Sequence, residues 1–480
     1  MAAKTGGVQY NAPTEGVKRS NMTWMEDYLC SKMTEHLGEQ LNIGCLCYLS
    51  KDVTRAELKA RLMDTLMSFE RLRSRIVQDK GGKFFFEDHG DAAQVIDSMI
   101  FERDLQKGEE EDFIQGLRDN VTLNAWPPEK PHWDVHIIRG IPKSTETKNC
   151  SVALFFRIDH TLGDGQSLLH ALLSVCQAQS GDVLRFPQAP SQQNKSAVAK
   201  IGTAILSVVM GVLYQTIMFL PALCVALSSR VLSDTTSIVK LPMAIPGPTT
   251  TKNVGLTPAQ DLAVLKRLGK AHKCTINDLM IAWVAGSVRR YLLQKQDPSV
   301  SAEKEVSYRA RAVFAYSRRK MEPGKITDFA NQIVFLPVPL PVAVPALSAR
   351  IARVRDATAF IKKSLVAFFT HGLMMSLAAI PGVGRKALAD EVMQGLIRIT
   401  SSFSSLAGPI HKVQICGATV EYMAISANPA GVALSFTSFS YAGMVTMSAT
   451  THPRLVDGRE MMKCVGEEWG AMAAAVEGGK

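Results

Sequence analysis

The stretch FFRIDHTLGDGQSLLHALL, residues 155–173, places His160 and Asp164 four positions apart, with Gly165 next to the carboxylate. Histidine is the usual general base near neutral pH, because its unperturbed pKa is about 6.5. A base that accepts a proton from a bound hydroxyl must be neutral and held in one orientation, and a nearby carboxylate can hold it. Gly165 is expected to allow backbone angles that a side chain would forbid. The pattern is therefore compatible with proton abstraction by His160.

The same residues also have a structural interpretation. Asp164 could cap the following helix, and His160 could belong to the core or its rim. The local sequence leaves both interpretations open.

Other residues with ligating or catalytic chemistry form weaker patterns. His132 and His136 are four apart, but the sequence around them predicts a strand after Pro131, so we expect packing and no metal site. The sequence has no G-x-S-x-G elbow, Walker A loop or G-x-G-x-x-G fingerprint. Its nine cysteines are scattered, which favours reduced thiols over a disulfide framework.

Composition indicates a globular chain with an anionic partner. The 480 residues are 46% hydrophobic, and the net charge is +10 with a pI near 9.1. A phospholipid surface or a phosphate-bearing cosubstrate fits this charge. We expect no nucleic-acid partner, because no basic block is interleaved with aromatic residues.

The predicted elements give an α/β (α+β) fold in two halves. A strand ends at the His160 motif and a helix follows it, while two helices and several alternating strands make up the second half. We expect a loose N-terminus at 1–20, a first subdomain at 21–185, a linker at 186–254 and a second subdomain at 255–480.

Two apolar segments are flanked by basic residues. Residues 201–229 carry no charged side chain, and residues 364–384 are nearly as apolar. The first has the length of a transmembrane helix, but a single crossing would separate the two halves. We predict that both segments dock on one leaflet of a membrane; burial in the core and contact with a second subunit are the alternatives.

Several motifs in order resemble the wax ester synthase/acyl-CoA:diacylglycerol acyltransferase family. They are KPHWDVHIIRGI, the His160 motif, TINDLMIAWVAGSVRRYL, FANQIVFLPVPLPV and SFSYAGMVTMSA, and with the flanking sequence they span about residues 22–468. The resemblance implies two chloramphenicol acetyltransferase-like subdomains with a tunnel between them.

The resemblance also implies a role for each matching residue. His160 is the catalytic base, Asp164 and Gly165 shape its turn, and Asn277 and Asp278 form an N-D motif in which Asn277 could stabilise an oxyanion. The remaining matches are assigned to substrate binding or packing: Trp133, Ser440, Tyr441 and Gly443. Two basic residues, Arg309 and Arg318, are candidates for coenzyme A phosphates, although a solvated face explains them equally well.

Asp159, also a candidate substrate-binding residue, departs from the family pattern, because it stands where the family usually has a first histidine. An adjacent carboxylate could raise the His160 pKa or point away along the strand. The segment SSLAGP, ending at Pro409, also lacks an asparagine that the family commonly has.

The implied function is O-acyl transfer from acyl-CoA to diacylglycerol or a long-chain alcohol, at a membrane with a cytosolic active site. In a eukaryote the membrane would be the endoplasmic reticulum or a lipid droplet. No permanently bound cofactor and no metal is expected, and a homo-oligomer is possible. The alternatives are transfer to a small soluble alcohol or amine, and an inactive lipid-binding scaffold.

Overall fold

A computed structural model shows a mixed α/β protein. It describes residues 10–23, 26–27, 29–30, 41–106, 116, 126–141, 144, 147, 149–179, 184, 186, 219–221, 223–224, 232–239, 252–300, 309–317, 329, 333–366, 368–370, 372, 398–428 and 432–477.

The described strands are β1 (Arg19–Asn21), β2 (Asn42–Leu49), β3 (Ser74–Gln78), β4 (Phe84–Asp88), β5 (Ile100–Asp104), β6 (Trp133–Arg139), β7 (Val152–Asp159), β8 (Gln177–Ala178), β9 (Asn253–Leu256), β10 (Gln260–Asp261), β11 (Arg311–Ser317), β12 (Ile333–Pro339), β13 (Ser401–Ala407), β14 (Val413–Ile415), β15 (Ala418–Ala427), β16 (Leu434–Tyr441) and β17 (Met444–Thr451). The described α-helices are α1 (Arg55–Asp64), α2 (Ala92–Ile96), α3 (Gly165–Val175), α4 (Leu262–His272), α5 (Ile276–Gln294), α6 (Leu347–Lys363) and α7 (Gly458–Glu477).

Two larger sheets organise the chain. The first has the order β5-β6-β7-β2-β15-β14-β8, and the second has the order β10-β17-β16-β13-β11-β12, with β9 paired to β17. A hairpin of β3 and β4 joins β1 in a small third sheet. The α/β class with two sheet-rich halves is confirmed, as are the strands on either side of residue 140 and the two helices α4 and α5.

The first sheet includes strands from the C-terminal part of the chain. β15 pairs antiparallel with β2, so that Ile425 lies opposite Cys45, and β14 pairs with both β15 and β8. β2, at the centre of this sheet, is buried on both faces, which explains why it is apolar along most of its length. The predicted division at 186–254 therefore does not separate the two sheets.

Strand β16 passes from one hydrophobic core into the other. Leu434 and Phe436 pack in the core beneath the second sheet, whereas Phe439 and Tyr441 belong to the core of the first. β13 runs parallel beside β16 over its whole length, from the Ser402–Ser435 pair to the Ala407–Ser440 pair. These two strands join the halves and carry residues of the second half to the stretch of residues 160–165, which we call the His160 loop.

Most of the two apolar segments lies outside the described residues. Among the helices that the structure describes, none is both long enough and apolar enough to cross a membrane.

Candidate functional site

His160 lies where β7 ends and a short 3-10 turn, His160–Leu162, begins. Its backbone N–H donates to the Leu41 carbonyl at 2.7 Å, which ties the turn to the start of β2. The side chain is half-buried, while its neighbours Thr161 and Leu162 are buried. The imidazole thus has a fixed backbone beneath it and partial access to solvent, as a base that meets a substrate requires.

Asp164 caps the helix that follows the turn. It is fully buried, and its Oδ1 accepts hydrogen bonds from the Ser167 backbone N–H at 2.9 Å and the Ser167 hydroxyl at 2.7 Å. These bonds satisfy one of the open N–H groups at the start of α3. The described contacts of Asp164 therefore support the structural interpretation, in which its carboxylate caps the helix and holds the turn.

The glycine that the loop needs for space is Gly163. A Cβ at this position would lie 2.9 Å from the Phe329 carbonyl oxygen and 3.3 Å from the Ser167 Cβ. Gly165 instead occupies the first position of α3, without a left-handed backbone angle, and a Cβ there would lie 3.7 Å from a Leu406 methyl group. The prediction that Gly165 supplies a backbone angle forbidden to other residues is wrong, because the helix begins at this residue.

Asp159 points its carboxylate toward His132. Its Oδ2 lies 2.9 Å from the His132 Nδ1, and its Oδ1 accepts from the Thr161 backbone N–H at 2.9 Å. The Thr161 hydroxyl donates to the same oxygen. The carboxylate thus caps the turn that carries His160.

The N-D motif begins helix α5. Thr275 and Asp278 form a capping box, in which the Asp278 Oδ2 accepts from the Thr275 N–H at 2.8 Å. The Asp278 Oδ1 accepts from the Thr358 hydroxyl at 2.5 Å, and the Lys362 Nζ lies 3.7 Å from it. Both oxygens of this buried carboxylate support the fold around α5 and α6.

Asn277 is exposed and points to β13. Its Oδ1 accepts from the Ser405 hydroxyl at 3.2 Å, which fixes the direction of the amide. The next residue of β13, Leu406, is the one that faces Gly165. Consecutive residues of β13 therefore contact the N-D motif and the His160 loop.

A cavity of about 200 Å³ lies beside the N-D motif. Its apolar lining comes from Ile281, Phe314, Leu336, Val338 and Ile361. Its polar lining comes from Asn277, Asp278, Thr358, Lys362 and Ser364. A lining that combines apolar and polar side chains suits an amphiphilic ligand.

The remaining predicted residues lie in structural positions or outside the described part. Trp133 is fully buried and donates from its indole N–H to the Leu72 carbonyl at 2.6 Å. The Tyr441 hydroxyl donates to the Val420 carbonyl at 2.8 Å and accepts from the Val413 N–H at 2.9 Å, and burial raises its pKa.

Ser440 and Gly443 lie at the end of the β16–β17 hairpin. The Ser440 carbonyl accepts from the Gly408 N–H at 2.8 Å, so it anchors the loop after β13. The turn between Tyr441 and Met444 has φ values of +49° at Ala442 and +79° at Gly443, which is the pattern of a two-residue hairpin and explains the glycine.

Of the two candidate phosphate-binding residues, only Arg309 lies within the described part of the chain. The Arg309 guanidinium donates to the Ser233 carbonyl at 3.0 Å, and Arg318 lies outside the described residues. Arg311 forms a buried ion pair with Asp234, with 2.6 Å between Nε and Oδ1. It therefore stabilises the return of the linker to the second sheet.

Three contacts were not predicted from the sequence. They are the His132–Asp159 pair, the Ser405 contact to Asn277 and the tight packing of Gly163. Each joins elements far apart in the chain, and local patterns carry no signal for such pairs. Within the described residues, no group of three or more His, Cys, Asp or Glu side chains could hold a metal ion.

Comparisons with known proteins found a matching family model and similar proteins. The family model for the WS/DGAT C-terminal domain matches residues 329–473. Wax ester synthase/diacylglycerol acyltransferase 5 of Arabidopsis thaliana is 24% identical over 432 residues, which cover 82% of each chain.

Two solved structures share the fold over nearly the whole chain. The wax ester synthase/diacylglycerol acyltransferase from Marinobacter aquaeolei VT8 superposes with a TM-score of 0.61 at 14% identity, covering 95% of this chain and all of the other. The first condensation domain of the calcium-dependent antibiotic synthetase gives a TM-score of 0.63 at 13% identity, covering 96% of this chain and 97% of the other.

Proposed function

We propose that this acyl-CoA-dependent acyltransferase, which is similar to the wax ester synthase/diacylglycerol acyltransferases, moves a long-chain acyl group to the hydroxyl of diacylglycerol or of a long-chain alcohol. The observation that carries this proposal is the junction at β13. There the His160 loop and the N-D motif contact consecutive residues, Leu406 and Ser405.

His160 acts as the general base in a direct transfer. Its ring nitrogen takes the proton of the acceptor hydroxyl while the oxygen attacks the thioester carbonyl carbon. The carbon–sulfur bond then breaks, and the proton passes from the imidazolium to the coenzyme A thiolate. General-base catalysis of this kind contributes roughly 10²–10⁴-fold in rate.

Asn277 stabilises the charge that develops on the carbonyl oxygen. Because the Ser405 hydroxyl donates to the Asn277 Oδ1, the amide is oriented with its NH₂ group away from β13. A donor that is already oriented stabilises an oxyanion without reorganisation at the moment of reaction. Asp278 fixes the same helix end through its bonds to Thr275 and Thr358.

The cavity beside Asn277 holds part of an acyl chain. Five apolar side chains line it together with five polar residues, Asn277 among them. An alkyl chain would bury its methylene groups there, at about 0.8 kcal/mol for each one. This arrangement favours a long-chain substrate over a small soluble alcohol or amine.

Membrane docking is supported by an exposed apolar cluster, which we call the aromatic cluster and define as Phe219, Leu220, Phe368 and Phe369. It joins the two apolar segments, because the Phe219 and Phe369 rings meet edge to face with centroids 5.0 Å apart. Leu220 is 65% and Phe368 67% exposed. The exposed Lys362 and Lys363 precede this cluster and would face anionic headgroups.

The acceptor is tested with purified protein and labelled acyl-CoA, given diacylglycerol, hexadecanol or a short soluble alcohol in separate reactions. We expect labelled triacylglycerol or wax ester and little product with the short alcohol. Transfer to the short alcohol alone would refute the proposed acceptor, and no transfer to any of the three would favour an inactive scaffold.

Docking is tested by flotation with liposomes that contain anionic lipid. Changing Phe219, Leu220 and Phe368 together to serine should release the protein from the vesicles, because most of the exposed apolar surface of the cluster is lost. Leu293→Ser is the matched control, since Leu293 is 46% exposed on α5 outside the cluster. Equal flotation of the triple variant and the control would refute docking through this cluster.

A further inference from the structure

His132 and Asp159, the residue before His160, form a buried histidine–carboxylate pair. His132 precedes β6, and its carbonyl accepts from the Asp159 N–H at 2.9 Å, so the two residues face each other across the β6–β7 pair. The His132 Nδ1 donates to the Asp159 Oδ2 at 2.9 Å. His132 is 1% and Asp159 8% exposed, so water does not compete strongly for this bond.

Aromatic packing fixes the orientation of the His132 ring. The Trp126 ring lies nearly parallel to it, at 13° and a centroid distance of 5.8 Å, and the Tyr10 ring lies at 28° and 6.5 Å. The Trp126 indole N–H in turn donates to the Asn42 Oδ1 at 2.9 Å. The imidazole therefore presents Nδ1 to Asp159 in one defined direction.

Asp159 transmits this constraint to the catalytic turn. Its carboxylate accepts from the N–H and the hydroxyl of Thr161, the residue after His160. With the bond from His132 it accepts three hydrogen bonds, two on one oxygen and one on the other. A neutral imidazole has a single acceptor nitrogen, so the histidine that the family usually has here could not make all three.

We propose that the His132–Asp159 pair positions His160 for proton transfer, and that it replaces the first histidine of the family pattern. The pair fixes the 3-10 turn from both sides of His160 and so sets the direction of its imidazole. Neither residue takes the substrate proton; both are positioning residues. The inference rests on the proposed role of His160 as the base.

The test compares His132→Phe, Asp159→Ala and Asp159→Asn with wild type in acyl transfer. His132→Phe keeps an aromatic ring for Trp126 and Tyr10 but removes the Nδ1 donor. We expect kcat to fall about 10- to 100-fold with the KM for acyl-CoA little changed, because a misplaced catalytic group costs turnover and leaves substrate binding intact. Asp159→Ala should lose at least as much.

Asp159→Asn keeps the hydrogen-bonding capacity of this position without its charge. Its amide oxygen can still accept both bonds from Thr161, and its NH₂ group can donate to the His132 Nδ1 when the imidazole proton is on Nε2, so this variant should recover most of the kcat that Asp159→Ala loses. The double variant His132→Phe/Asp159→Ala should be no worse than Asp159→Ala alone, since groups that act as a unit are not additive.

His136→Phe is the matched control. His136 lies on β6, four residues after His132; its Nε2 is 3.4 Å from the Asp134 carboxylate, and its ring stacks on Phe101 with centroids 5.0 Å apart. We expect it to change the melting temperature about as much as His132→Phe and to leave kcat unchanged.

The outcomes separate the two proposals. If His160→Ala abolishes transfer while folded His132→Phe and Asp159→Ala keep wild-type kcat, the positioning proposal is wrong and the base proposal stands. If His132→Phe lowers kcat no more than His136→Phe at equal melting temperature, the pair is only structural. If folded His160→Ala retains activity, the proposed function itself fails.

Discussion

Substitution of the two glycines in the His160 loop gives opposite predictions. In Gly163→Ala the new methyl group would lie 2.9 Å from the Phe329 carbonyl oxygen, and because that atom belongs to the backbone it cannot swing away. Overpacking of this kind costs about 1–3 kcal/mol, and the lower entropy of the unfolded chain offsets about 0.4–1 kcal/mol of it. We expect a net loss of about 1–2 kcal/mol in the free energy of unfolding.

Gly165→Ala should not destabilise the protein. Its methyl group would lie at an ordinary contact distance of 3.7 Å from Leu406, at the first position of α3. The same entropy term then stabilises the variant by about 0.4–1 kcal/mol. The two variants should therefore differ by about 2 kcal/mol, although they are two positions apart in one loop.

Urea and thermal unfolding of both variants, followed with wild type in one series, measure this difference. Gly163→Ala should also lower kcat about 10- to 100-fold, because the backbone between His160 and Asp164 must shift. Equal destabilisation by the two substitutions, or a larger loss with Gly165→Ala, would refute the loop geometry on which this reasoning depends.

Three further substitutions test the N-D motif and the cavity. Asn277→Ala should lower kcat by about 10²-fold with acyl-CoA binding retained, and unchanged kcat in steady-state assays would exclude an oxyanion role. Ile281→Trp should fill the cavity and shift acyl-CoA preference toward shorter chains in a competition assay; an unaltered chain-length profile would place the acyl chain elsewhere. Asp278→Ala should reduce the free energy of unfolding by about 1–3 kcal/mol, because it removes the bonds to Thr275 and Thr358, and denaturation at wild-type midpoint would contradict this.

Local sequence patterns were sufficient for the elements around the site. The apolar run of β7, the helix after Asp164 and the pair α4–α5 all follow from periodicity and end signals, and the structure has them. The ordered set of motifs predicted the fold class and the family. These features depend on residues that are neighbours in the chain.

Long-range contacts could not be predicted in this way. The entry of β14 and β15 into the first sheet depends on pairing between Ile425 and Cys45, which no local pattern specifies. The His132–Asp159 bond depends on the register of β6 against β7, which the local strand pattern around His132 does not specify. The space around Gly163 depends on Phe329, a residue of the other half.

The most direct test of the proposed function is acyl transfer by His160→Ala beside His170→Ala. His170 lies on α3, where burial lowers its pKa, and it has no role in the proposed mechanism. With labelled acyl-CoA and saturating acceptor, His160→Ala should lose about 10²–10⁴-fold in kcat, whereas His170→Ala should stay near wild type. A folded His160→Ala protein with wild-type turnover would contradict general-base catalysis by His160.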